Sequence, residues 1–437
     1  MFMRSSNRGP SWAPSNAIEN VALAGLMALL PAIACYKAIL IGLLRRPQTC
    51  DAFNHMVIHG PIGAYNRGAL SLNYLDHGFI RRGLGGTLLQ WVAGSPLAGC
   101  FDELLVFHFL SAIWLTIPLM LLVKWAVRRG WKNGTWLAII LAASPQLFWA
   151  WGGDLGRIDM FVEGCLAWGV VALLRGYVWV AIGSVLLGFL AHENAAFYGI
   201  PLLSALYFGS HPPPKLRTAY VPAAAMIGGI AAIVIAQIVF TSATTQDIVH
   251  AVVRSQMPSE KRDFAAYIAV SGLRGVTTSL CRSMGRAATP LYLVSALALI
   301  ALYAWLLRIR FKKSIPYALI TALPFTAVSM VAVDYGRWLS YALLNAWLFA
   351  AATVELSDRD SLRKSVGILR IIVLGGLMAM RPAHVQYPNY FAKVIAQHIW
   401  SKKGTRPKRI DACDPSWRAS IGLPVVPDYP DPGRVTR

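Results

Sequence analysis

Two stretches set the terms for everything else this chain can become. "LLVFHFLSAIWLTIPLMLLV", residues 104 to 123, and "PAAAMIGGIAAIVIAQIVF", residues 222 to 240, are long, apolar and free of Asp, Glu, Lys and Arg. A helix needs about 20 such residues to cross the hydrocarbon core of a bilayer, where every backbone polar group has to be bonded within its own segment. Comparable runs centre on residues 18–44, 103–125, 135–151, 159–174, 177–191, 195–208, 219–240, 289–307, 315–333, 338–356 and 366–380. Four of them crowd between 135 and 208, some short enough to enter a membrane without crossing it. The expectation is about eleven transmembrane or re-entrant helices, within a range of about nine to thirteen. Only 14% of the 437 residues are charged and 56% are hydrophobic, which no ordinary soluble domain of this length shows. The expected fold class is an all-α polytopic membrane protein. Residues 1–380 form its transmembrane domain, with two long extracytoplasmic loops at 45–102 and 241–288, and residues 381–437 form a polar, basic C-terminal tail.

The net charge of +21 raises the question of nucleic acid, but the Lys and Arg residues are scattered between apolar runs and build no reader motif. Topology and anionic lipids explain them better. With a cytoplasmic N-terminus, the inward connections are "KWAVRRGWK", Arg175, "PPPKLR", "RIRFKK" and "SDRDSLRK", all of them basic. The short outward ones, "GGDLGR", "HEN" and "DYGR", carry one Arg or none, as the positive-inside rule requires. The basic tail, with "SKKGTRPKR", is the misfit, because an odd helix count puts it outside. The expected location is the inner (plasma) membrane of a bacterium, N-terminus in the cytoplasm. Six cysteines, Cys35, Cys50, Cys100, Cys165, Cys281 and Cys413, have no CxxC or Cys/His spacing, so a structural metal is not expected and their redox state stays open.

In this orientation the polar chemistry gathers on the extracytoplasmic side. "GDLGRID" offers Asp154, Arg157 and Asp159, "DYGR" offers Asp334 and Arg337, "NYLDHGFIRRGLGG" offers Asp76, His77, Arg81 and Arg82, and "LAHENAAFY" offers His192 and Glu193. Each has a plain alternative. An Asp and an Arg at a helix end can cap it and pair across the turn, Arg81 and Arg82 can anchor in lipid phosphates, and "HEN" is no zinc-protease HExxH. Asp102 and Glu103 read as helix-start residues, and Asp247 to Asp263 as an amphipathic solvated helix. Repetition favours function, since the chain has only 20 acidic residues and places several at the membrane boundary, where ionisable groups are costly.

Carboxylates and arginines backed by many helices suit transfer from a lipid phosphate. Guanidinium groups hold the phosphate as charge develops on it, and a carboxylate removes the acceptor hydroxyl proton. The layout resembles the GT-C superfamily of polyprenyl-phosphate-dependent glycosyltransferases: a cytoplasmic N-terminus, one helix, a long first outer loop with an acidic residue, then roughly ten further helices. Where that family often has two adjacent acidic residues in the first loop, this chain has "LDHG". The resemblance implies an inverting transfer of a sugar from a polyprenyl-phosphate-linked donor to a lipid or glycan acceptor. It implies Asp76 as base, with Glu193 the other catalytic candidate; Arg81, Arg82, Arg157 and Arg337 on phosphate; and His77, Asp154, Asp159, His192 and Asp334 binding sugar or orienting arginines. No cofactor is expected, with magnesium or manganese left open because Asp76, Asp154 and Asp334 are oxygen ligands. The alternatives are an O-antigen polymerase or ligase type of enzyme, whose load would fall on loop 241–288, and a transporter or flippase of lipid-linked glycans.

Overall fold

A computed structural model describes residues 49–58, 66–96, 101–144, 156–210, 216–254, 289–331, 335–353 and 369–373 with short gaps, together with small pieces near 277–281 and 413–419 and the single residues 32, 35, 39, 99 and 151. Among the described residues the fold is helical throughout and has no strand. The helices are α1 (Cys50–Ile58), α2 (Tyr74–His77), α3 (Gly83–Ala93), α4 (Glu103–Arg129), α5 (Trp131–Ala142), α6 (Asp159–Leu174), α7 (Val178–Ala191), α8 (Asn194–Ser210), α9 (Leu216–Val239), α10 (Thr245–Arg254), α11 (Thr289–Leu306), α12 (Ser314–Ile320), α13 (Ala322–Val331) and α14 (Tyr335–Ala352).

Two of these are long and apolar enough to cross a membrane. The 27 residues of α4 reach roughly 40 Å at the usual rise per residue. Most of α4 is enclosed, whereas Val221–Val239 of α9 is hardly buried and presents Ile227, Ile235, Ile238 and Val239 outward. Around α4 pack α3, α5, α6 and α14; α6 also meets α7, α8 and α14. The centre of the bundle is α6 with α14, where Val162, Cys165, Ala167, Val170, Leu343, Leu344 and Trp347 are almost fully buried. A helix apolar all round belongs inside, which is why α6 shows no apolar stripe.

Small residues let α6 close up on α4 and α7. Gly164 lies against the Trp114 ring of α4, and Gly188 lies against Cys165 and Ala195. The run 315–333 is expected as one helix and is two, broken at Thr321 between α12 and α13. Side chains satisfy the break: the Thr321 hydroxyl donates to the Tyr317 carbonyl (2.6 Å), and the Asn345 amide donates to the carbonyls of Ile320 (3.1 Å) and Tyr198 (2.9 Å).

The connections sort the bundle into two ends. The starts of α4, α6, α8 and α14 and the finish of α7 share one end. The opposite end carries Arg128 and Arg129 at the finish of α4, Arg175 after α6 and Lys313 before α12, whose ammonium donates to the Thr353 carbonyl (2.9 Å).

Candidate functional site

At the first end, the start of α14 and the turn before α6 meet on Asp159. The Arg337 guanidinium grips its carboxylate with Nε to Oδ2 at 2.6 Å and Nη2 to Oδ1 at 2.5 Å, and the Tyr341 hydroxyl donates to Oδ1 at 2.8 Å. Arg157 approaches the same carboxylate at 3.9 Å. The arginines of the two Asp-x-Gly-Arg turns therefore share one partner, and it is the aspartate two residues past the first turn. The pair is deeply enclosed, the Arg337 and Asp159 side chains being 11% and 6% exposed. Ions removed from water this far need an opposite charge in contact.

Beside it lies a second fork. Arg82 donates from Nε to Glu193 Oε2 (2.8 Å) and pairs through Nη2 with Oε1. Its side chain, 39% exposed, is the open part of the cluster. Arg82 has φ 61°, the one positive φ outside glycine among the described residues. A side chain in the left-handed region is strained, and such strain persists where the surroundings over-determine it. Here the start of α3 and the fork to Glu193 hold it. Behind the fork, His192 is buried between α7 and α8 and accepts the Asn194 backbone N–H at Nδ1 (3.2 Å). Burial first, and then the nearby Arg82 guanidinium, hold His192 well below its ordinary range. The ring is neutral, with its proton on Nε2. The His192 ring also lies 6.4 Å from the ring of Trp338, the neighbour of Arg337 in the chain, so the two forks are adjacent.

The first turn is anchored from α4. Gly156 has φ 83°, its N–H donates to His108 Nδ1 at 3.0 Å, and a Cβ there would meet the Leu104 side chain at 2.2 Å. Gly156→Ala is expected to destabilise the protein by about 1–3 kcal/mol through overpacking, read as a lower unfolding temperature in detergent.

Asp76 is bonded within its own turn and to α3 rather than to either fork. It is exposed, at the turn of α2, and its Oδ2 accepts from Asn73 (2.8 Å) and from Gln90 of α3 (2.9 Å). These hydrogen bonds hold its carboxyl below the usual range, so it is ionised at neutral pH. Tyr74 of the same helix lies 3.5 Å from the Leu190 carbonyl, which sets α2 over the finish of α7. His77 is buried; its carbonyl accepts the Ser242 N–H (3.2 Å), and the Phe240 carbonyl accepts the Phe79 N–H (3.2 Å), tying the "LDHG" turn to the end of α9. Arg81, Asp154 and Asp334 lie outside the described residues. Asp102 does cap α4, its Oδ1 accepting the Leu104 N–H (2.8 Å), and Arg67 fastens the preceding stretch to Asp102 (2.5 Å) and Glu103.

Sequence reasoning missed three contributors: Tyr341, His108 and Glu163. Glu163 lies one turn along α6 from Asp159, fully buried, with the Trp151 indole N–H donating to Oε2 at 2.6 Å. The signal was present as Asp and Glu four apart in "IDMFVEGC", inside an apolar run where a carboxylate has no solvent to face. Tyr341 and His108 carry no such signal, since tyrosine and histidine on buried helices most often only pack. No group of three or more His, Cys, Asp or Glu side chains suited to a metal occurs among the described residues.

No protein-family model matches the chain, and neither a curated protein nor a solved structure matches it.

Proposed function

We propose that the chain is an integral membrane glycosyltransferase that moves a sugar from a polyprenyl-phosphate-linked donor to a lipid or glycan acceptor at the extracytoplasmic face. The observation that carries this reading is the drawing together of Arg82, Arg157 and Arg337, from three separate helix ends, around Asp159, Glu193 and a neutral His192. The strained and most exposed of these arginines, Arg82, stands at the opening. An anionic lipid headgroup at the membrane surface fits such a place, since Arg matches phosphate with two parallel donors.

In the proposed reaction the acceptor hydroxyl gives its proton to Asp76 as its oxygen bonds to the anomeric carbon. The bond from that carbon to the phosphate oxygen breaks, its electron pair leaving on the phosphate, where Arg82 stabilises the charge. Glu193 has both oxygens engaged by Arg82, which makes it the group that aims the arginine rather than the base. Asp159 does the same for Arg337 and Arg157 deeper in the cluster.

The test is binding of a polyprenyl phosphate in detergent. An exposed ion pair contributes little to stability, roughly 0–1 kcal/mol, so Arg82→Lys is expected to fold normally. Its affinity for the lipid phosphate should drop about tenfold or more, about 1.4 kcal/mol, because the ammonium keeps the charge and loses the fork. Unchanged affinity would withdraw the phosphate from this cluster. Additivity between Arg157 and Arg337 does not decide the matter, because both contact Asp159 and are coupled whatever they bind.

Orientation has its own check. The site end faces outward in this proposal and the Arg175 end faces the cytoplasm. Ala93→Cys should react with a membrane-impermeant thiol reagent in intact cells and Tyr177→Cys should not; both positions are exposed. The reverse pattern would remove the extracytoplasmic reaction.

A further inference from the structure

The cysteines divide by position. Cys165 is free and buried in α6, and Cys35 is free within the first apolar run. Cys50, in the first long connection, is disulfide-bonded, and so are Cys281 and Cys413, to each other, across 132 residues. Both cysteines of that bond are half-buried; Thr278, three residues before Cys281, and Asp414, next to Cys413, are buried, and Asp414 accepts the Ser416 hydroxyl (3.0 Å).

The connection that holds Cys281 leaves from the site end, because the end of α9 is tied to the "LDHG" turn through Phe240 and Ser242. The chain after α14 starts from the other end, where Arg370 lies over the Trp305 ring near the finish of α11 (5.1 Å). The apolar run 366–380 is then expected to return it to the site end, so that parity and the covalent bond agree. Against them stands only the basic composition of "SKKGTRPKR". The positive-inside rule is weak there, since it counts short loops and long segments translocate largely regardless of charge.

We infer that the C-terminal segment is an extracytoplasmic strap, fastened by Cys281–Cys413 to the second long connection on the same face of the membrane as the arginine cluster. Disulfides persist where thiols are oxidised and are rare in the cytosol. Forming this one removes two protons and two electrons from the thiols and passes them to a protein disulfide of that compartment, which becomes a dithiol. The inference does not depend on glycosyl transfer: it assigns a side to the tail and to the site, whatever the site binds.

The experiment counts thiols in intact cells with a membrane-impermeant maleimide of large mass. C281S and C413S should each gain one label over the wild type without reductant, while C281S/C413S should match the wild type. Gain of the label in C281S only after permeabilisation would put the tail inside, and labelling of both cysteines in the untreated wild type would mean that no bond forms. Should the variants fail to accumulate, a peptide tag after Arg437 of the wild-type chain decides: digestion by protease added to intact spheroplasts is expected, and a protected tag overturns the inference. Failure here would leave the lipid-phosphate binding result standing, and the converse also holds.

Discussion

Asp159→Asn is expected to be the most damaging single substitution in this protein, costing about 3–5 kcal/mol of stability, the range for breaking a buried ion pair by removing one partner. The amide keeps the shape and one acceptor for the Tyr341 hydroxyl. It leaves the Arg337 guanidinium, 11% exposed, without the charge that Nε and Nη2 now contact at 2.6 and 2.5 Å. Arg157, 12% exposed, loses the same partner. Two enclosed cations then lose the carboxylate they share, and Glu163, one turn further along α6, is engaged by the Trp151 indole instead. Thermal unfolding in detergent, or the amount of protein that accumulates in the membrane, reads the result. Arg337→Gln should cost less, since Asp159 keeps Arg157 and Tyr341, and the double variant should be milder than the sum of the singles, as contacting groups are. A near-normal Asp159→Asn protein would mean that the forks are not formed as described and would undo the site at its centre.

Much of the helical plan was legible because period and length speak directly. The run 159–174 is α6 to the residue, and 177–191 is α7 within one residue. Such boundaries are sharp where a glycine with positive φ follows, as Gly176 does with φ 84°. The break at Thr321 was not legible, because its cause is tertiary: Asn345, 25 residues beyond Ile320, supplies the donor that lets the backbone open. The convergence of "GDLGRID", "HEN", "DYGR" and the first outer stretch was legible from charge economy and topology together. The pairing within it was not. Nothing in the spacing says that Arg337 reaches Asp159 across 178 positions, since pairing across a bundle depends on which helix ends are neighbours. Glu163 escaped because an Asp-to-Glu step of four inside an apolar run looks like one turn of helix, and only the fold gives it Trp151.

That Asp76 is bonded to Asn73 and Gln90 and not to an arginine of the forks bears on activity. Arg82 and Glu193 occupy each other, whereas both hydrogen bonds to Asp76 fall on Oδ2, at the exposed turn of α2. Asp76→Asn is therefore expected to insert and fold as the wild type, to bind a polyprenyl phosphate with unchanged affinity, and to transfer sugar about 100-fold more slowly or worse, the scale of a lost general base. Glu193→Gln should show the opposite split, with weaker phosphate binding and a smaller change in the rate at saturation, because it frees the Arg82 fork to rotate. The pH profile separates the two roles further. A base works while ionised and is lost as pH falls through its folded pKa. Hydrogen bonds from Asn73 and Gln90 hold Asp76 below the ordinary carboxylate value of 3.8, so the rate should stay level from neutrality down to about pH 5. An acid limb near pH 6 that persists in Asp76→Asn would belong to another group and would take the base away from Asp76. Loss of lipid-phosphate binding in Asp76→Asn would do so as well, by placing that carboxylate among the residues that hold the donor.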